Sequence, residues 1–109
     1  MSATGTIEIE LETFAARHPE AYLIDVREPN EYTAGHVAGA VPMPLSQLRE
    51  RTGELPRDRT VHVICAGGNR SLRAAQALAD AGYDAVSVKG GTSGWIRSGR
   101  PVVMGENPS

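Results

Sequence analysis

Short β-rich runs alternate with helical stretches along the whole chain of 109 residues, and this alternation limits the possible folds more than any other feature of the sequence. The runs at 22–26 and 61–64 are apolar enough to lie in the interior of a sheet. Strands that alternate with helices predict an α/β sandwich, in which helices cover a mainly parallel sheet. In such sheets ligands bind beyond the carboxyl ends of the strands, so the residues that follow each run are the first candidates for a functional site.

Turn residues divide the chain into elements of ordinary length. Strands are predicted at 7–9, 22–26, 61–64 and 86–88, with a brief extended piece that begins at Val41. Helices are predicted from Leu11 to a stop at His18-Pro19, at 30–34 after Pro29, at 45–51, at 71–81 and around Trp95. These elements make one domain at 6–103, with an N-terminal tail at 1–5 and a C-terminal tail at 104–109. We expect the polar C-terminal tail to fray.

Composition excludes several classes of protein. A single cysteine cannot form an internal disulfide, and it suits a reducing cytoplasm. The start of the chain lacks the basic and apolar regions of a signal peptide, and no apolar run is long enough to span a membrane. A net charge of −2 gives no reason to expect a nucleic-acid partner. The three histidines are scattered without metal-ligand spacing, so we predict neither a metal site nor a cofactor.

The loop after the strand at 61–64 carries the clearest chemical signal, because a cysteine there precedes two glycines, an arginine and the start of a helix. Glycines let the backbone curl and point successive N–H groups inward, and a helix N-terminus adds further N–H donors. Such donors lower the pKa of a thiol and also hold an anionic ligand. The loop residues with these predicted roles are Cys65 as nucleophile and Ala66, Gly67, Gly68, Asn69, Arg70 and Ser71 as binding groups.

A purely structural role is the alternative for Cys65, since cysteine is among the residues most often buried. A buried structural thiol has no need of a Gly-Gly turn, an arginine and a helix start within the next six positions. The surroundings therefore favour a nucleophile. The charge distribution agrees with an anionic ligand near the loop. Residues 60–109 carry five basic and three acidic groups, whereas residues 1–59 carry six basic and ten acidic groups.

Four motifs follow one another in a recognisable order. They are Leu23-Ile24-Asp25-Val26-Arg27 with Glu31-Tyr32, then Gly35-His36-Val37-Ala38-Gly39-Ala40, then Cys65-x-x-Gly68-x-Arg70-Ser71, and finally Gly90-Gly91-x-x-x-Trp95. In these motifs the chain resembles the single-domain rhodaneses, a family of sulfurtransferases, from about Ile7 to Val102. The resemblance implies a rhodanese-like three-layer sandwich.

The resemblance also implies a reaction in two steps. The thiolate of Cys65 would take the sulfane sulfur of a small anionic donor such as thiosulfate and become a persulfide. Cyanide or a thiol would then accept that sulfur. In this scheme the loop N–H groups cradle the persulfide and Arg70 binds the oxyanion of the donor. Because the chain has no second cysteine, the acceptor must be external.

Two other functions on the same fold stay open. The first is a sulfur-relay or binding module that takes persulfide sulfur from a partner protein, such as a sulfur carrier. The second is a phosphatase or arsenate reductase, whose loops resemble this one but place five residues between cysteine and arginine. Here only four residues separate Cys65 from Arg70, which makes a ring sized for a single sulfur atom.

Four residues outside the loop are candidates for supporting roles. Asp25 and Arg27 follow a strand and are better suited to holding neighbouring loops than to acid or anion chemistry. His36 lies between glycines and is expected to fix a loop by hydrogen bonds. Trp95 is expected in the core, and the resemblance implies that it borders the active loop as well.

Overall fold

The computed structural model describes residues 7–109, so the predicted tail at 1–5 lies outside the described residues. The described chain contains five strands, β1 (Glu8–Ile9), β2 (Tyr22–Asp25), β3 (Val41–Pro42), β4 (Val61–Ile64) and β5 (Ala85–Val88). Its helices are α1 (Leu11–Arg17), α2 (Pro29–Ala34), α3 (Leu45–Arg51), α4 (Asn69–Asp80) and α5 (Gly91–Arg97), with a 3-10 turn at Thr52–Glu54. None of the helices in this part of the chain is long and apolar enough to cross a membrane.

The five strands form one parallel sheet in the order β1-β5-β4-β2-β3. The central strands β4 and β5 are buried along their whole length. This arrangement confirms the predicted mainly parallel sheet flanked by helices. All the strands run the same way, so the carboxyl ends of β2, β4 and β5 meet at one edge, where the cysteine loop begins.

Two hydrophobic clusters cover the two faces of the sheet and make the three layers. One cluster joins apolar residues of β2 and β4 to α3 and α4, and it includes Cys65 itself. The other cluster joins the opposite sides of these strands to Phe14 of α1, Tyr32 of α2 and Trp95 of α5. Alternate side chains of a strand point to opposite faces, which is why neighbouring positions of β4 fall into different clusters.

Helix α4 begins two residues earlier than the predicted position at Ser71. Gly68 has φ +110° and is the residue that precedes the first turn, so Asn69 and Arg70 already belong to the helix. A left-handed conformation suits glycine, and it turns the chain from the loop directly into the helix. The early start brings the first-turn amides close to the cysteine.

The expectation of a frayed tail at 104–109 is wrong. Val103 forms an antiparallel bridge with His36, and the tail then continues along the loop that follows α2. The Gly39 amide donates to the Pro108 carbonyl at 2.9 Å, and the Gly105 amide donates to the Thr33 carbonyl at 2.9 Å. Backbone groups of α2 and of the loop that follows it thus hold a segment whose own composition is polar.

Candidate active site

The thiol of Cys65 lies at the carboxyl end of β4 and is surrounded by hydrogen-bond donors. The Gly68 amide donates to Sγ at 3.1 Å and the Ser71 amide at 3.3 Å. The Ser71 hydroxyl lies 3.3 Å from the same sulfur. Cys65 is only 1% exposed, so these groups take the place of water around the sulfur atom.

The balance of these interactions favours the thiolate. Burial raises the pKa of the Cys65 thiol, but hydrogen bonds from the Ser71 hydroxyl and from the amides of Ser71, Gly68 and Arg70 act the other way. The hydrogen bonds prevail, and the pKa of Cys65 is lowered from the ordinary value for cysteine. The thiolate is the nucleophilic form of cysteine, and the loop shifts the titration of Cys65 toward that form.

The cysteine loop keeps its shape because the start of α5 is pressed against it. The amides of Thr92 and Ser93 donate to the carbonyls of Cys65 and Ala66 at 2.8 and 2.9 Å. Gly91 has φ +61°, and a Cβ placed there would lie 2.5 Å from both carbonyl oxygens. This approach is open only to glycine, which gives the Gly90-Gly91 motif a physical role.

Arg70 is paired with an acidic residue that sequence reasoning did not assign to the site. Its Nη1 and Nη2 donate to the two carboxylate oxygens of Glu31, both at 2.9 Å. The hydrogen bonds from Arg70 hold the pKa of Glu31 at about 2, and the pair is partly exposed. Glu31 also completes a capping box at the start of α2 with Glu28. No local sequence pattern predicts this pair, because its members are 39 positions apart in the chain.

Asp25 and Arg27 form a buried ion pair at the carboxyl end of β2. The Arg27 Nε and Nη2 atoms donate to the carboxylate of Asp25 at 2.8–3.1 Å, and Nη2 also donates to the Gly35 carbonyl at 2.8 Å. The pair joins the end of β2 to the end of α2, and β2 is the strand next to β4. These contacts are those of residues that hold neighbouring loops, the role favoured for both from the sequence.

In the described part of the chain, neither His36 nor Trp95 makes a hydrogen bond to the Cys65 thiol. The ring nitrogens of His36 face the carbonyls of Tyr32 at 2.9 Å and Asn107 at 2.8 Å, so this residue ties the helix α2 region to the C-terminal tail. Trp95 donates to the Pro101 carbonyl at 2.8 Å and packs against Phe14, in the cluster on the face of the sheet opposite to Cys65. These are the contacts of a core residue, and the role of Trp95 at the border of the loop stays a prediction.

The loop residues differ in what they offer to the sulfur. Hydrogen bonds reach Cys65 from Gly68, Arg70 and Ser71, whereas Gly67 and Asn69 are exposed at the surface of the loop. A second buried hydroxyl, that of Ser87 on β5, lies 2.7 Å from the Ser71 hydroxyl and was missed from the sequence. Its signal was available, since Ser87 is the polar residue in a short strand whose other members are apolar.

Among the described residues, no group of three or more His, Cys, Asp or Glu side chains is placed to hold a metal ion. The arrangement as a whole is that of a parallel α/β domain with a buried thiol in an amide-lined loop between a strand and a helix.

Comparisons with known proteins agree with this description. The model of the rhodanese-like domain family matches residues 10–98. The chain is 34% identical over 103 residues to a sulfurtransferase of Allochromatium vinosum, which covers 91% of this chain and 96% of the relative. It is 46% identical over 85 residues to the uncharacterized protein YqhL of Bacillus subtilis, which covers 77% of this chain and 68% of that protein.

Among solved structures, a rhodanese-related protein from Thermoplasma volcanium superposes with a TM-score of 0.85 at 39% identity, covering 89% of this chain and 97% of that one. The chain belongs to the rhodanese-like domain family. The predicted fold is confirmed, and the sulfurtransferase prediction is confirmed at the level of the family.

Proposed function

We propose that this protein moves a sulfane sulfur from thiosulfate or a similar donor to cyanide or a thiol acceptor through a persulfide on Cys65. The observation that carries the proposal is the sulfur of Cys65, buried among amide and hydroxyl donors that lower its pKa. A single free cysteine suits the reducing cytoplasm, where thiol acceptors are abundant, and we place the reaction there.

In the first step the Cys65 thiolate attacks the sulfane sulfur of thiosulfate. A bond forms between Sγ and that sulfur, the S–S bond of thiosulfate breaks, and its electron pair leaves with sulfite. The persulfide anion keeps the single negative charge of the thiolate and sulfite carries two, so atoms and charge balance. The amides of Gly68, Arg70 and Ser71 are the donors available to hold the persulfide anion.

In the second step the acceptor attacks the outer sulfur of the persulfide. The bond between the two sulfurs breaks, its electron pair returns to Cys65 as the thiolate, and cyanide leaves as thiocyanate. Because the loop stabilises a negative sulfur both before and after the transfer, it supports both steps with the same groups. Arg70 has five N–H donors and uses two on Glu31, which leaves others for the oxyanion of the donor.

The direct test is the mass of the intact protein after incubation with sulfur donors. We expect a gain of about 32 Da, the mass of one sulfur atom, and we expect prior alkylation of Cys65 to prevent it. The panel contains thiosulfate, a small organic persulfide and a cysteine desulfurase with cysteine. If none of these donors adds sulfur to the reduced protein, the proposal fails.

The same panel separates an enzyme that uses small donors from a sulfur-relay module. A relay module accepts sulfur from the desulfurase and turns over thiosulfate poorly. The exposure of Cys65, only 1%, favours a small donor, because a partner's persulfide must reach the thiol on a protein surface. The phosphatase or arsenate reductase alternative stays a distant third, and hydrolysis of an aryl phosphate or reduction of arsenate would revive it.

Glu31 is expected to limit the use of an anionic donor, because its carboxylate neutralises Arg70. We predict that Glu31→Gln raises kcat/KM for thiosulfate by about two- to fivefold, the scale of a partly exposed ion pair. Glu31 is ionised throughout the usual assay range, since its pKa is about 2, so the gain is present at every pH above about 5. The gain is measured at low ionic strength and shrinks as salt is added.

The matched control is Glu28→Gln, which removes the same charge from an exposed residue at the start of the same helix. A gain confined to Glu31→Gln supports neutralisation of Arg70. An equal gain in both variants indicates a general effect of net charge, and a loss in Glu31→Gln shows that Glu31 serves instead to position Arg70; either result contradicts the prediction.

A further inference from the structure

A chain of two buried hydroxyl groups leads away from the nucleophile into the sheet. The Ser71 hydroxyl lies 3.3 Å from Sγ of Cys65, and the Ser87 hydroxyl lies 2.7 Å from that of Ser71. Both serines are fully buried. Ser87 is fixed in β5 between β1 and β4, where it is paired with Glu8 on one side and Val63 on the other. The backbone that carries its side chain is therefore held in place by both neighbouring strands.

In the state with a neutral thiol, the protons of the two serine hydroxyls can each be assigned to an acceptor. The Ser71 oxygen has three neighbours: Sγ of Cys65, the Ser87 oxygen and, at 3.2 Å, the carbonyl of Gly68. A carbonyl can only accept, so the one proton of Ser71 goes to Gly68. The Ser71 oxygen then accepts from the thiol and from Ser87, and every proton has a partner.

The count changes when the thiol loses its proton. Ser71 now turns its proton toward the sulfur, and the Gly68 carbonyl keeps its hydrogen bond from the Leu72 amide at 3.2 Å. The Ser71 oxygen no longer accepts from Cys65, so among the described residues Ser87 is the one donor it keeps. Among the described residues the Ser87 hydroxyl has no other hydrogen bond. The contact between the two serines therefore matters more to the thiolate than to the thiol.

We propose that Ser87 is a positioning residue for the nucleophile, which acts through Ser71 by donating a hydrogen bond that holds the Ser71 hydroxyl in the orientation facing the Cys65 thiolate. A donor behind Ser71 also polarises the hydroxyl and strengthens the bond that Ser71 makes to sulfur. The inference rests on the proposed function in one respect only, that the thiolate of Cys65 is the form that acts.

The matched pair Ser87→Thr and Ser87→Val tests the inference, because the two side chains have the same shape and differ in the hydroxyl. Both are β-branched and suit a strand. The measurement is the pH dependence of Cys65 alkylation by iodoacetamide, whose midpoint reports the pKa of the thiol. We expect Val to raise the midpoint by about half to one pH unit, the value of one neutral hydrogen bond, and Thr to restore it.

A purely structural role for Ser87 would give different alkylation midpoints. If the effect comes from packing, Thr and Val shift the midpoint alike, and the inference is overturned. It is also overturned if neither variant shifts the midpoint. Ser87→Ala, which adds no bulk to the strand, replaces Val if the larger side chain prevents folding, and the same rise is expected.

Sulfur transfer gives a second measurement that is independent of alkylation. At a pH below the midpoint, Ser87→Val should form persulfide about three- to tenfold more slowly than the wild type, and the difference should vanish above the midpoint. If the wild type takes sulfur from no donor while the alkylation midpoints follow the hydroxyl, the proposed function fails and the role of Ser87 stands. If sulfur transfer proceeds and the midpoints do not follow the hydroxyl, Ser87 has no such role.

Discussion

Replacement of Cys65 with serine is expected to reduce sulfur transfer at least about a thousandfold, the scale on which loss of a nucleophile acts in other covalent enzymes. A serine hydroxyl stays protonated at neutral pH and has little affinity for sulfane sulfur. Nothing else in the chain can replace it, because Cys65 is the single cysteine. The measurement is thiocyanate production from thiosulfate and cyanide, together with the mass of the protein after the first step.

The serine variant should still fold. The hydroxyl occupies nearly the same volume and can accept the hydrogen bonds that the Gly68 and Ser71 amides now give to sulfur. A thermal melt within a few degrees of the wild type would show that the loss of activity is chemical. If Cys65→Ser keeps a rate clearly above the uncatalysed reaction, the persulfide route is wrong.

Gly91→Ala is expected to destabilise the fold by about 3–4 kcal/mol and to disrupt the cysteine loop. The conformation at φ +61° costs a residue with a Cβ about 1–2 kcal/mol. The new methyl group would also lie 2.5 Å from the carbonyl oxygens of Cys65 and Ala66, and relief of this clash weakens two hydrogen bonds from α5, each worth about 1 kcal/mol. Urea denaturation gives the stability, and alkylation of the thiol reports on the loop.

Substitution of two other glycines separates the cost of the left-handed conformation from the cost of the close contact. At Gly53 a Cβ meets nothing within 4 Å and the backbone is not left-handed, so Gly53→Ala should leave stability nearly unchanged. At Gly99 the φ is +89° but nothing lies within 4 Å, so Gly99→Ala should show the conformational cost alone. If Gly91→Ala costs no more than Gly99→Ala, the close contact between α5 and the cysteine loop does not constrain position 91.

The sequence was most informative where local chemistry determines structure. The alternation of runs predicted the layers, and the residues from Cys65 to Ser71 predicted an amide-lined loop because each of its requirements is met within seven positions. The start of α4 was misplaced by two residues, since the conformation of Gly68 is set by the turn it must complete and not by helix propensity.

Contacts between distant segments were beyond the reach of the sequence pattern. Glu31 meets Arg70 only after β2 and β4 pair in the sheet, and no spacing rule connects positions in different crossover units. The same holds for the C-terminal tail, where composition predicted fraying and the carbonyls of Asn107 and Pro108 instead face the ring of His36. In each case the partner is supplied by tertiary structure, which a local reading does not contain.

The burial of Cys65 also has a kinetic consequence. In the proposed function donor and acceptor approach one sulfur atom by the same route, and a thiol that is 1% exposed leaves no room for both at once. In the proposed reaction the two substrates must therefore alternate, so we expect the sulfur-loaded protein to be a free intermediate between two half-reactions and the steady state to be ping-pong. We then expect each substrate, when in excess, to bind the form of the protein that reacts with the other substrate and so to inhibit the reaction.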